Sequence, residues 1–393
     1  MEKTRPAIHI ADKEFLSHTL TSYVENEFSF ALWRLPESNA IHLAACESPQ
    51  LGFEGTLEDS KPGFIFSPFD PTRKKMFLPA DELYTFEGGH LTSGNGTTLE
   101  AVYQKNEKKI NQGKTRYHSS PQSPMASPAA REFQSIVRDC KEEIFQGHFE
   151  KIVPSRTKKV ELPTGFDLVE TFNQLCQLYP QAMVSIVSCP LTGTWVGATP
   201  EMLVSVSKDQ RFHTVAIAGT QAFIEGMDLK TITWTQKDIE EQALVERYII
   251  SCFKKIRLRE YEEHGPKTMV AGNVLHLKTD FEVDMAATNF PQLGSTMLQL
   301  LHPTSAVCGM PLQASLDFLK KNEGYDRQFY SGYLGPVNVH QESNIYVNLR
   351  CMQLFENEAI LYAGAGVLAD SDPEKEWRET EMKMNTLLRI INK

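Results

Sequence analysis

The chain has 393 residues and a formal net charge of -10, with 41% apolar, 23% charged and 10% aromatic residues. Those are globular values, ample for a large core. The absence of a long basic run argues against sequence-independent nucleic-acid binding, and no stretch of about 18 apolar residues is present to span a membrane.

Seven scattered cysteines form no Cys-x-x-Cys pair, which points to a reducing compartment without a disulfide framework or zinc knuckle. The N-terminus, Met1 to Pro6, leads into no apolar run, so no signal peptide is expected and the expected location is the cytoplasm.

In chain order, short apolar runs at Phe28–Leu35, Ile41–Ala45, Gly63–Phe69 and Leu83–Phe86 alternate with turns and predict antiparallel strands. A Pro- and Ser-rich stretch after residue 110 predicts a loop over 111–127. Ser127-Pro128 then offers an N-cap with proline at N1. Phe133, Ile136, Val137, Cys140 and Ile144 follow the helical period up to Gly147. A short strand is expected over 149–156, with further strands at Met183–Cys189, Thr194–Gly197, Met202–Ser207, Asn344–Phe355 and Ala359–Ala363. Helices are expected over 166–179, 236–258, 312–321 and 374–390. Strands and helices are interspersed without regular βα alternation, so the fold class is α+β, with large antiparallel sheets and helices packed outside.

Two acidic pairs have the spacing of a shared helix face: Asp238 with Glu241, and Glu376 with Glu379. Two such pairs suit a hard cation that takes a few carboxylates plus water and substrate oxygens. Plainer readings exist: Asp238 also completes a capping box with Thr235, and Glu379 with Lys383 has ordinary ion-pair spacing. Lys151 sits in a short strand; if buried, it would serve as a general base. Glu201 follows Gly197-Ala-Thr-Pro200 and, if buried, would serve as a proton donor. His276 lies within an apolar run, where a satisfied core histidine is the commoner case. Arg350 lies in a strand of buried character and needs an anionic partner. Tyr362-Ala-Gly-Ala-Gly366 and Ala218-Gly-Thr220 place glycines where backbone N–H groups approach a carboxylate. There is no Walker A motif, no G-x-S-x-G elbow and no G-x-G-x-x-G spacing.

Taken together, Lys151-Ile-Val-Pro-Ser-Arg156, Gly197-Ala-Thr-Pro-Glu201, Ala218-Gly-Thr220, Leu275-His-Leu277, Leu301-His-Pro-Thr304, Tyr325-Asp-Arg327, Tyr362-Ala-Gly-Ala-Gly366 and Glu376-Trp-Arg-Glu-Thr380 resemble the chorismate-utilising enzymes. These are the isochorismate, salicylate, anthranilate and aminodeoxychorismate synthases. The resemblance covers about residues 128–390. It implies the anthranilate synthase component I-like fold, a variable N-terminal part over 1–110 of the same α+β unit, and a chorismate-binding region over 128–393. It further implies that Glu241 and Glu379 ligate Mg2+, with Asp238 and Glu376 acting through water. Arg350, Tyr330 and backbone near Gly364 would hold a second carboxylate, with contacts from Gly219 and Lys383. Ala306 and Val307 would line the ring pocket, and His276 would sit near the metal-bound carboxylate and the leaving hydroxyl.

Within this family, water-adding enzymes look like this chain at Lys151, where ammonia-adding ones generally carry Gln. Ala218 stands where aminodeoxychorismate synthases carry a nucleophilic Lys. The resemblance therefore implies an isochorismate synthase, an isomerase with Lys151 as base and Glu201 as acid, and as alternative a salicylate synthase that goes on to eliminate pyruvate. No glutaminase subunit and no membrane or nucleic-acid partner is expected, and a monomer is. Gln242 replaces a usual His, Lys278 a small or neutral residue, Ser305 a frequent Pro and Cys308 a frequent Gly. Of these, Lys278 is expected to alter charge near the site.

Overall fold

The computed structural model describes residues 13–88, 90–95, 115–122, 127–224, 226–271 and 274–392. Its strands form two nine-stranded antiparallel sheets and one two-stranded pairing. The first sheet runs His90–Gly94, Glu82–Glu87, Ile41–Cys46, Ser29–Arg34, Met183–Cys189, Gly193–Thr199, Cys351–Leu354, Glu358–Gly364, Ser155–Glu161. The second runs Glu262–Ala271, Val274–Asp284, Arg211–Ala222, Met202–Val206, Ser343–Val347, Tyr333–Val337, Gly63–Ser67, Met76–Pro79, Gln50–Leu51.

The sheets stack face to face and helices cover both outer faces. Strand Ser29–Arg34 shows why. Phe30 and Leu32 point into a core shared with helices Lys13–Glu25, Leu168–Leu178 and Pro373–Ile391. Ala31 and Trp33 point the other way, against Phe64 and Phe66 of the second sheet. Successive strand residues face opposite sides, so a strand buried on both faces reads as a continuous apolar run. The second sheet's outer face packs on helices Ala130–Phe145, Gln236–Lys255, Leu293–Leu301 and Leu312–Asn322. Four layers result, with the large antiparallel sheets inside and the helices outside, as expected for the α+β class. No described helix is long and apolar enough to cross a membrane.

Several expected boundaries move. Ser127 does not cap the helix that follows: its Oγ accepts from Lys159 N. The helix starts at Ala130, and Glu132 caps it by accepting from Ala129 N at 2.8 Å, so Pro128 lies outside. The strand expected over 149–156 divides into Lys151–Ile152 and Ser155–Glu161, because Pro154 has no N–H to continue the ladder. Of the expected loop over 111–127, residues 111–114 and 123–126 lie outside the described residues, and 115–122 carry neither helix nor strand. Helix Gln236–Lys255 begins at the expected capping box: Thr235 Oγ1 accepts from Asp238 N, and the Asp238 carboxylate accepts from Thr235 N.

Candidate active site

Two passages of the chain between the sheets build the site. Gly193–Thr199 belongs to the first sheet and Met202–Val206 to the second, with Pro200 and Glu201 between them. Ser343–Val347 and Cys351–Leu354 make the return passage through Asn348, Leu349 and Arg350. The two passages are bonded together. Val347 N donates to Glu201 O at 2.9 Å, Thr199 Oγ1 donates to Val347 O at 2.7 Å, and Ala198 N donates to Arg350 O at 3.1 Å. Arg350 has φ of 47°, uncommon for a non-glycine residue. This left-handed turn interrupts the single strand expected over 344–355.

Beside the passages lies a pocket lined by Glu201, Gly219, Glu241, His276, Ala306, Val307, Tyr330, Arg350, Gly364 and Lys383. Val153, Pro200 and Thr220 of the quoted motifs join them, as do Ile217 and Leu349, which were not singled out from sequence. Lys151 stands directly behind Glu241. It is wholly buried, and its Nζ lies 2.8 Å from Glu241 Oε1. That contact is a buried ion pair. Burial pushes the Glu241 carboxyl up, yet the Lys151 charge outweighs it and holds the group below its ordinary value.

Gly366 is what lets this pair close. A Cβ there would sit 2.1 Å from Glu241 Oε1 and 3.1 Å from Lys151 Cε. Both atoms belong to the far ends of long side chains, so Gly366→Ala is expected to fold but to force the pair apart. Misplacing a reacting group by about 1 Å can cost roughly 10²-fold in rate, and a loss of that order is expected. Steady-state turnover beside a thermal melt checks it: both near wild type would remove Gly366 from the site.

Three lysines meet the carboxylates. Lys383 Nζ donates to Glu379 at 2.6 Å and to Gly364 O at 2.9 Å. Lys237 Nζ donates to Glu376 Oε1 at 2.5 Å. Burial would lower the Lys237 ammonium, but the charges of Glu376, Glu241 and Glu379 raise it well above its ordinary value. The sequence reading overlooked Lys237; its i,i+4 relation to Glu241 was the available signal. Burial, and next the charge of Glu379, push Glu376 up to about 7. Asp238 is engaged by its capping box, with Thr235 Oγ1 2.6 Å from its Oδ2.

Among the described residues, no group of three or more His, Cys, Asp or Glu side chains converges as a ready-made cation centre. The donor set still suits a hard cation. Glu241, Glu376 and Glu379 all act on the one Lys237 ammonium, and Glu376 Oε2 is buried with no hydrogen-bond partner. Mg2+ is held by one or two carboxylates with water and substrate oxygens, not by a closed protein cage.

In the same pocket, burial pushes Glu201 up to about 7, despite the nearby charges of Lys151, Lys383 and Arg350. Arg350 is buried, and among the described residues no carboxylate lies within ion-pair distance of its guanidinium. Its contacts are His276 Nε2 at 3.2 Å and Thr386 Oγ1 at 3.5 Å. Burial, then the Arg350 charge, lower His276 to about 3. The neutral ring therefore donates from Nδ1 to Gly219 O at 2.6 Å and accepts from Arg350 at Nε2. His276 thus aims Arg350. An isolated buried guanidinium calls for an anion.

Two departures from the family pattern lie off the pocket. Gln242 is buried against the second sheet and donates to Ala216 O and Thr279 Oγ1. Lys278 pairs with Asp280 at 2.7 Å, which also holds Lys267 and His213. Lys278 does not line the pocket.

The profile of the chorismate binding enzyme family matches residues 85–392. The chain belongs to the chorismate-binding enzymes. Among relatives of this chorismate-binding enzyme, isochorismate synthase EntC of Escherichia coli K12 is 29% identical over 248 residues, covering 62% of this chain and 62% of that protein. Isochorismate synthase DhbC of Bacillus subtilis is 27% identical over 297 residues, 72% of this chain and 72% of that protein. The chain thus spans 62% of the length of the first of these relatives. Among solved structures, MenF, the menaquinone-specific isochorismate synthase from Escherichia coli, has a TM-score of 0.74 at 18% identity, covering 97% of this chain and 91% of that one. Anthranilate synthase component I from Streptococcus pneumoniae has 0.65 at 17%, covering 92% of each. At these identities the likeness is one of fold, and the fold is the one the sequence motifs implied.

Proposed function

We propose that this chorismate-binding enzyme is a magnesium-dependent isochorismate synthase, which adds water at C2 of the chorismate ring and expels the C4 hydroxyl. One observation carries the reading: a buried Glu201 lines the pocket, a buried Lys151 stands behind Glu241 of the same lining, and Ala218 is there instead of a nucleophile. Water addition needs a base and an acid on the two reacting positions, and no covalent intermediate.

Lys151, acting as the neutral amine, takes the proton of the attacking water. Glu201 gives its proton to the departing hydroxyl. Arg350, aimed by His276, and the Tyr330 hydroxyl receive the carboxylate remote from the cation. Ala306 and Val307 shape the ring's surroundings. Glu241 and Glu379 would hold Mg2+, with Glu376 and Asp238 behind them, and the cation would supply positive charge to the other carboxylate. Relatives named isochorismate synthase support the reading.

Product analysis of chorismate incubated with Mg2+ tests it. Isochorismate accumulating alongside residual chorismate is the expected result. Salicylate with pyruvate would make the protein a salicylate synthase, and anthranilate on addition of ammonia would refute water as the nucleophile.

The acid has a pH signature. Glu201 is pushed up to about 7 by burial, so it carries its proton below that pH and loses it above. Turnover that needs a proton from Glu201 should fall as pH rises through about 7. Glu201→Gln should abolish that limb along with most of the rate, about 10²–10⁴-fold for a positioned acid. An unchanged alkaline limb in the variant would assign the titration to another group.

A further inference from the structure

None of the residues lining the catalytic pocket is exposed; each is buried or half-buried. The pocket itself has a cavity volume of about 70 Å3. A second cavity of about 380 Å3 adjoins it, and the two share Pro200 and Arg350. The outer end of the second cavity is different in kind. Leu178 and Gln181 there are exposed, and Phe223, Val270 and Ala271 from the ends of two second-sheet strands form the facing wall. The charged residue on its lining is Arg350. Tyr179, on its wall, feels both Arg389, exposed outside, and Arg350, buried at the inner end.

We infer that this second cavity is the vestibule through which the ring dicarboxylate reaches the catalytic pocket, with Arg350 as the first buried cation it meets. The inference rests on the proposed function. It is argued from three features together: an inner pocket lined by no exposed residue, a larger adjoining cavity with Leu178 and Gln181 exposed on its lining, and a guanidinium common to both. Arg350 offers one nitrogen towards Thr386, on the vestibule side, and another towards His276, on the pocket side. A carboxylate that docks on Arg350 from outside can therefore pass inward without leaving it, while the apolar wall at Phe223 and Val270 covers the ring.

Gln181→Trp narrows the mouth at an exposed position that touches none of the catalytic groups. It is expected to lower kcat/KM roughly tenfold while leaving kcat within about twofold, since it slows arrival and not chemistry. Phe223→Ala, which widens the vestibule, should not lower kcat/KM. Leu191→Trp, exposed but outside both cavities, controls for surface bulk and should leave both constants unchanged. Gln181→Trp with wild-type kcat/KM would overturn the route. So would an equal fall in kcat and kcat/KM, which would mean that the change reached the catalytic pocket. Absence of wild-type turnover would instead refute the functional reading, and the route with it.

Discussion

Lys151→Ala is expected to cut turnover by about 10²–10⁴-fold, the usual contribution of a positioned base, while Mg2+-dependent binding of chorismate persists. The separation follows from geometry. Lys151 contributes its Nζ to the pair with Glu241, but Glu379 is held independently by Lys383 and Glu376 by Lys237. Removing Lys151 therefore leaves the other carboxylates supported. Breaking a buried pair can cost about 3–5 kcal/mol, so stability has to be measured as well; Lys237, whose charge also reaches Glu241, limits the loss here. Lys151→Gln, closer in volume, keeps the packing and should be equally inactive. Turnover near wild type in either variant would show that the base lies elsewhere. Loss of ligand binding together with turnover would show that Lys151 acts as an anion contact instead.

Arg350→Ala should damage kcat/KM through KM. Truncating one member of a buried charged contact costs about 2–5 kcal/mol, or roughly 30- to several-thousand-fold. Arg350→Lys tests whether charge alone suffices. The guanidinium serves His276 and Thr386 from separate nitrogens, and a lysine ammonium cannot reproduce that planar fork, so Lys should restore only part of the loss. Full rescue by Lys would mean that the site reads charge without geometry. A fall in kcat with unchanged KM would place Arg350 on the reacting centre and not on a carboxylate.

The parts of this site that were legible from sequence were those whose chemistry is locally odd. Arg350 stood out because an arginine inside an apolar strand needs a partner, and among the described residues the structure gives it no carboxylate. The Thr235–Asp238 capping box marked the start of a helix, and the helix begins there. The doubly buried strands of the first sheet read as apolar runs for the reason given by Phe30 and Trp33. What escaped was set by distant partners. Strand Glu262–Ala271 begins with polar residues exposed at a sheet edge, so it carries no apolar signal. Strand Arg211–Ala222 alternates too weakly, because its exposed end and its pocket end obey different demands. The break at Arg350 depends on bonding between two passages about 150 residues apart, which no local pattern reports. Lys237 looked like an ordinary helix lysine until Glu376, from another helix, was seen to face it.

The most direct test of the account is the source of the new hydroxyl. Chorismate incubated with the protein and Mg2+ in 18O-labelled water, followed by mass spectrometry of isochorismate, reads it. The account predicts one heavy oxygen at C2 of the isochorismate. Isochorismate formed without label would contradict it, since the hydroxyl would then have moved within the substrate without Lys151 activating solvent.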